Sequence, residues 1–166
     1  MKKLILVAVF AVSCISSMNS QGHLKVGIGG GIPVGDISDF FSFTMLADVG
    51  YLWDVSDVFE VGAVTGYIHS FGDKIGDISI DDEQFVTAAA GVNYYLNGHG
   101  NGIHLDLNIG YGIGINEGND GGFYYRPGVG YNVSENASID ASFSGISANG
   151  GTASNVLLRF QWQLAL

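Results

Sequence analysis

Eight ionisable side chains stand out as residues whose types could do chemistry together: Lys25, Asp48, Glu60, His104, Asp106, Arg126, Asp140 and Arg159. Bases, acids and an imidazole in one set can build charge-assisted hydrogen bonds, gate ions or relay protons. Arg126 is the most demanding of them. Its planar fork matches carboxylates, and the neighbouring segments carry Asp106 and Asp140. We read the set as a structural salt-bridge network rather than a gate or proton path.

Other chemistries are less well supported. A serine nucleophile needs a histidine within reach and an acid to orient it. The histidines are His23, His69, His99 and His104. His69 and Ser70 are neighbours, so in a strand they point to opposite faces. No catalytic residues are assigned, and the chain is not expected to be an enzyme. The acidic stretch Asp77-Ile78-Ser79-Ile80-Asp81-Asp82-Glu83 and the segment Asn116-Glu117-Gly118-Asn119-Asp120-Gly121 offer oxygen ligands without the spacing of a calcium loop. They read as solvated loops, so no metal and no cofactor is assigned. Gly27-x-Gly29 and Gly110-x-Gly112-x-Gly114 precede no helix and are not phosphate cradles. The only cysteine is Cys14, so the body of the chain has no disulfide.

The elements that must hold these side chains show a period of two. From Ile103 to Ile115 every second residue is large and apolar, and the residues between are His104, Asp106, Asn108, Gly110, Gly112 and Gly114. Phe123 to Val133 repeats the pattern after a Gly-rich turn, which predicts a hairpin. Similar alternation predicts strands over His23–Val34, Phe41–Trp53, Val58–Ser70, Phe85–Leu96, Ser138–Ser147 and Asn155–Leu166. The segment Asp54 to Asp57 reads as a tight turn and Ile146 to Ser154 as a Gly-rich loop. Pro127 falls inside a strand, where it cannot donate to the ladder, so a bulge or a missing bond is expected there.

Composition points the same way. The chain has 166 residues, 26 of them Gly, and only 13% are charged. No apolar run approaches the ~20 residues of a membrane helix. The formal net charge of −10 argues against nucleic acid as a partner. Residues 1–21 read as a cleaved signal peptide, with Lys2 and Lys3 before the apolar stretch Leu4–Val12. Ala11-Val12-Ser13-Cys14 admits a second reading, as a lipoprotein signal acylated at Cys14. Residues 22–166 form the one domain.

Alternation alone fits a soluble barrel with apolar residues inside or a membrane barrel with the faces inverted. The polar face is rich in Gly and almost free of Lys, as a narrow lumen would be and a wet exterior would not. Aromatic residues gather near strand ends on the apolar face, as lipid-interface anchors do: Phe41, Phe43, Phe123 and Tyr125 at one end, Tyr51, Trp53, Phe59, Tyr131 and Trp162 at the other. The last predicted strand runs to the end of the chain and can pair with the first. The fold expected is therefore all-β, an eight-stranded antiparallel up-and-down transmembrane β-barrel.

Ile32-Pro33-Val34-Gly35-Asp36, Gly66-Tyr67-Ile68-His69, and Gly110-Tyr111-Gly112-Ile113-Gly114 through Asn119-Asp120-Gly121-Gly122-Phe123-Tyr124-Tyr125-Arg126-Pro127 carry a resemblance. The chain resembles the small eight-stranded outer-membrane barrels of Gram-negative bacteria, of the OmpA and OmpX kind, and the family called outer membrane protein β-barrel domain. The resemblance implies location in the cell outer membrane and contact with its lipid and lipopolysaccharide. It also implies insertion by the outer-membrane assembly machinery through the strand Asn155 to Leu166. Such barrels commonly end in an aromatic residue, and this one ends in Leu166, although Phe160, Trp162 and Leu164 keep the alternation. The role expected is a monomeric, non-enzymatic barrel with a plugged polar lumen and acidic extracellular loops, serving envelope structure or surface interaction. A small porin-like pore and a soluble periplasmic, lipocalin-like ligand carrier are the alternatives.

Overall fold

The computed structural model describes residues 22–76, 78–116, 119–148 and 151–164. The signal segment, Cys14, Asp77, Glu117, Gly118 and Leu166 lie outside the described residues. Eight strands form a closed antiparallel barrel. They are β1 (Gly22–Val34), β2 (Phe41–Ser56), β3 (Phe59–Gly72), β4 (Glu83–Tyr95), β5 (Gly102–Gly114), β6 (Gly122–Ser134), β7 (Ala137–Ala148) and β8 (Gly151–Leu164). Each strand pairs with the next, and β8 closes on β1 from Leu24↔Leu164 to Val34↔Ser154. Closure leaves no edge with unpaired backbone groups. A two-residue hairpin, Lys74–Ile75 with Ile78–Ser79, stands apart in the connection after β3.

Period-two patterning places the faces. Ile28, Ile32, Leu105, Ile109, Ile113, Val156 and Leu158 point out and are exposed. Their sequence neighbours point into a filled interior. Glycines on the inward face make that filling possible. A Cβ on Gly130 would lie against Asp140 and His104, and one on Gly128 against Asp106.

Three departures from the sequence pattern have physical causes. First, β7 and β8 pair through Ile146↔Ala153 and Ser147↔Thr152, so most of the segment read as a loop is ladder. Small residues carry little hydropathy contrast, yet their backbones pair equally well, and Ser147 Oγ and Thr152 Oγ1 hydrogen-bond across the strands at 2.8 Å. Second, Asp54 to Ser56 continue β2, with a register irregularity between Asp54 and Ser56. The turn is therefore Asp57–Val58. Third, the β6–β7 ladder lacks its pairs at Arg126 and Pro127 and resumes at Gly128↔Ser142 in unchanged register. Proline has no N–H to give, so the bond is missing and no bulge forms. On its other side Pro127 pairs with Leu107.

The connections described at one barrel end lie within residues 35–40, 73–82 and 115–121; at the other they are 57–58, 96–101 and 135–136. The second set makes the short-turn end, and 96–101 is its longest member. Positive φ at Gly98, Gly100 and Gly102 lets it fold back over the barrel rim. There the His99 N–H donates to the Asp57 carbonyl at 3.1 Å.

Candidate functional site, the barrel interior

The interior is built in two layers. Towards the end that carries connections 35–40, 73–82 and 115–121, Leu46, Ile68, Phe85, Tyr124, Ile146 and Leu157 form a buried apolar cluster. These residues share the inward face with the polar ones. Sequence reading missed them, because it took the inward face to be polar throughout. Leu46 between Met45 and Ala47 was the available signal: an inward position bearing a large apolar residue.

The charged layer fills the middle and the short-turn end. All eight side chains singled out from the sequence are buried here, none more than 7% exposed. Asp48 is the hub. Its Oδ2 accepts from Arg126 Nη1 at 2.6 Å and from Arg159 Nη1 at 2.9 Å. Arg159 Nη2 lies 3.1 Å from Asp140 Oδ2 and 3.8 Å from Asp106 Oδ1. Asp140 Oδ1 takes a hydrogen bond from Ser138 Oγ at 3.0 Å and sits 2.9 Å from His104 Nε2.

Arg126 therefore does not clamp Asp106 and Asp140, the acids on its neighbouring strands. Ladder register explains this: Arg126 lies opposite Asn108, while Asp106 faces Gly128 and Asp140 faces Gly130. Those acids sit one or two inward positions away along the barrel axis. Arg159, directly opposite Asp140 on β8, takes that place. Arg126 instead reaches across the lumen to Asp48. Asp106 is the weakest member, since neither of its carboxylate oxygens has a hydrogen-bond partner.

Lys25 and Glu60 make a second centre nearer the short-turn rim. Glu60 Oε2 accepts from Lys25 Nζ at 2.5 Å, Asn93 Nδ2 at 2.8 Å and Tyr95 Oη at 2.8 Å. Tyr95 stacks towards both His99 and His104, with ring centroids 4.5 and 5.3 Å apart. The inward face of β1 adds His23, whose Nε2 hydrogen-bonds Asp54 Oδ2 at 2.9 Å. His23, Asp54 and His99 were not among the residues singled out, because Asp54 was read as a turn residue and the two histidines were weighed only as partners of a serine nucleophile.

Outward aromatics lie near both rims. Phe43 and Phe123 are exposed near one rim, with Phe41 and Tyr125 half-buried beside them. Tyr51, Phe59, Tyr131 and Trp162 are exposed near the other, with Trp53 half-buried. Tyr51 packs edge-on against Trp53 at 5.0 Å, and Phe59 packs tilted against Tyr94 at 5.1 Å. His69 also points outward, opposite to the buried Ser70, and its Nε2 lies 2.9 Å from Asp82 Oδ2.

The sequence matches no family model and no curated protein. Its fold is nevertheless that of known small barrels. The outer membrane protein Ail of Yersinia pestis, determined in a phospholipid bilayer nanodisc, superposes with TM-score 0.57 at 18% identity, over 87% of this chain and 100% of that one. The N-terminal β-barrel domain of Pseudomonas aeruginosa OprF superposes with TM-score 0.56 at 14% identity, over 88% of this chain and 100% of that one. A de novo designed transmembrane β-barrel gives TM-score 0.54 at 14% identity, over 87% and 97% of the two chains.

Proposed function

We propose that this chain is an integral outer-membrane β-barrel of a Gram-negative envelope, a monomeric, non-enzymatic protein with a plugged lumen that serves envelope structure or surface interaction. One observation carries the reading: the inside and outside are inverted relative to a soluble domain. Ile28, Ile32, Leu158 and Trp162 are 64%, 58%, 61% and 53% exposed, while Arg126, Glu60 and Asp140 are 1%, 0% and 0% exposed. Apolar surface costs roughly 25 cal/mol per Å² in water, and soluble monomers keep their apolar patches to a few hundred Å². Here the apolar surface runs around the whole barrel, which suits hydrocarbon. But for the bond missing at Pro127, the closed ladder meets the requirement that backbone groups be paired in lipid. Aromatics near both rims fit the two membrane interfaces. The same closure leaves no strand edge to recruit a second copy.

In this reading lipid and lipopolysaccharide surround the barrel, and the assembly machinery reads the strand within Asn155 to Leu166. The connections carrying Asp73, Asp81, Asp82 and Asp120 are the extracellular loops. The plug is supported by the apolar layer and the charged layer stacked in one lumen. Lys25, Asp48, Glu60, His104, Asp106, Arg126, Asp140 and Arg159 would then act structurally.

Fractionation tests the assignment. The protein should sediment with outer membranes, resist salt and alkaline extraction, and need detergent for release. Recovery in the aqueous fraction without detergent would overturn it.

A further inference from the structure

The short-turn rim gathers four metal-ligand side chains from three strands and a turn. His23 comes from β1, Asp54 from the end of β2, Glu60 from the start of β3, and His99 from the 96–101 turn. One donor atom from each lies within 4.8 Å of all the others. His99 Nε2 is 2.9 Å from Asp54 Oδ1 and 2.5 Å from Glu60 Oε1. Neither contact has the angle of a hydrogen bond, and Asp54 Oδ1, Glu60 Oε1 and His99 Nε2 are all buried without a hydrogen-bond partner. Glu60 is the telling case. Its side chain is 0% exposed. Its Oε2 is saturated by Lys25, Asn93 and Tyr95, and its Oε1 is aimed into the cluster at His99 Nε2 without a hydrogen bond. A buried carboxylate oxygen left unpaired is costly unless something cationic meets it.

We propose that His23, Asp54, Glu60 and His99 form a binding site for a divalent transition-metal ion of the Zn²⁺ class. Two imidazoles with two carboxylates are a donor set suited to such ions and poorly suited to the all-oxygen preferences of Ca²⁺ or Mg²⁺. The surroundings hold the ligands in place. Gln163 contacts His23 Nδ1 at 3.0 Å, which leaves Nε2 for the metal once the amide oxygen is the atom presented. Tetrahedral Zn²⁺ with bonds of ~2.0–2.2 Å spaces its ligand atoms by roughly 3.4 Å, so binding opens the His99–Glu60 pair by about 0.9 Å and the His99–Asp54 pair by about 0.5 Å, and draws the wider pairs in. The glycine-flanked turn that carries His99 can supply that movement. His23, Asp54 and His99 are 17%, 32% and 24% exposed, so an ion has a path in from the rim. In the proposed membrane orientation that rim faces the periplasm, but the site itself does not depend on the membrane assignment.

No metal spacing was visible in the sequence because the ligands are 31, 6 and 39 positions apart along the chain and meet only through the register. Four ligands without a metal would otherwise serve as an ion-pair cluster, with a protonated His99 between the two carboxylates.

The test uses untagged, full mature chain, folded in detergent and stripped with a chelator. Titration calorimetry with Zn²⁺ should find one ion per chain, and Co²⁺ should give the intense visible bands of a low-coordinate N/O site. His99→Gln and Asp54→Asn, both at the rim, should weaken binding by roughly tenfold or more. His69→Gln, at the opposite end, should leave it unchanged, and excess Ca²⁺ should not compete. Absence of stoichiometric Zn²⁺ and Co²⁺ binding by the folded wild type would reduce the cluster to an ion pair and overturn the proposal. So would binding that survives in His99→Gln and Asp54→Asn. Circular dichroism of each variant separates loss of the site from loss of the barrel.

Discussion

Asp48 and Asp106 are both inward aspartates, yet they hold different stakes in the barrel. Asp48 accepts from two guanidinium groups, and Asp106 has no hydrogen-bonding donor at all. Removing the Asp48 charge strands Arg126 and leaves Arg159 with Asp140 and Asp106 only, and breaking a buried pair in this way typically costs about 3–5 kcal/mol. Asp48→Asn should therefore lower the urea midpoint of the barrel in lipid vesicles sharply, and Asp106→Asn should lower it less. Equal effects would mean that the lumen is wet enough to screen both. A different titration belongs to the outer loop. The Gly72 N–H donates to Asp82 Oδ1 at 3.0 Å and, together with the His69 ring, holds that carboxyl below its ordinary value of 3.8. A depressed folded value means that this anchor is intact above 3.8 and is lost as pH falls through the lower, folded value. Amide exchange at Gly72, corrected for intrinsic rates, should be protected at about pH 6 and less so at about pH 3. Asp82→Asn should weaken that protection already at the higher pH.

At the level of elements, Pro127 supplies the sharpest test. The β6–β7 register is the same on both sides of it, so the strand is already placed for a residue with an N–H. Pro127→Val should restore the missing ladder bond and stabilise the barrel by about 0.5–1.5 kcal/mol, read as a raised urea midpoint. A lowered midpoint would mean that the proline's fixed φ contributes more than the bond it forfeits. The same strands show what was legible beforehand. Wherever large apolar residues alternate with Gly or polar ones, as in β5 and β6, the faces followed from the letters. Pattern was lost at Ile146 to Ser154, where small residues give no contrast, and at Asp54 to Ser56, where a polar run looks like a turn. The second loss hid a site. Asp54 reads as a turn residue until register sets Gly22 opposite Trp53 and His23 opposite Leu52, bringing the ends of β1 and β2 together.

For the whole molecule the question is whether the lumen conducts. The eight inward charges were legible from period two, but their partners were not, because a barrel brings β2 against β6 and β8 across a space that sequence distance does not encode. Nor was the apolar layer of Leu46, Ile68, Phe85, Tyr124, Ile146 and Leu157, which shares the lumen with the charges. That layer changes what a conductance experiment should find. With charges alone, Arg126→Ala would be enough to open a path. With Phe85 and Tyr124 each at most 3% exposed towards one end, Arg126→Ala leaves that end sealed. Wild type and Arg126→Ala should both be silent in planar bilayers. The triple variant Phe85→Ala, Tyr124→Ala, Arg126→Ala removes side chains from both layers and should give discrete current steps. Robust conductance by the wild type would instead make the protein a small pore, and the ion pairs around Asp48 would then line a path rather than close one.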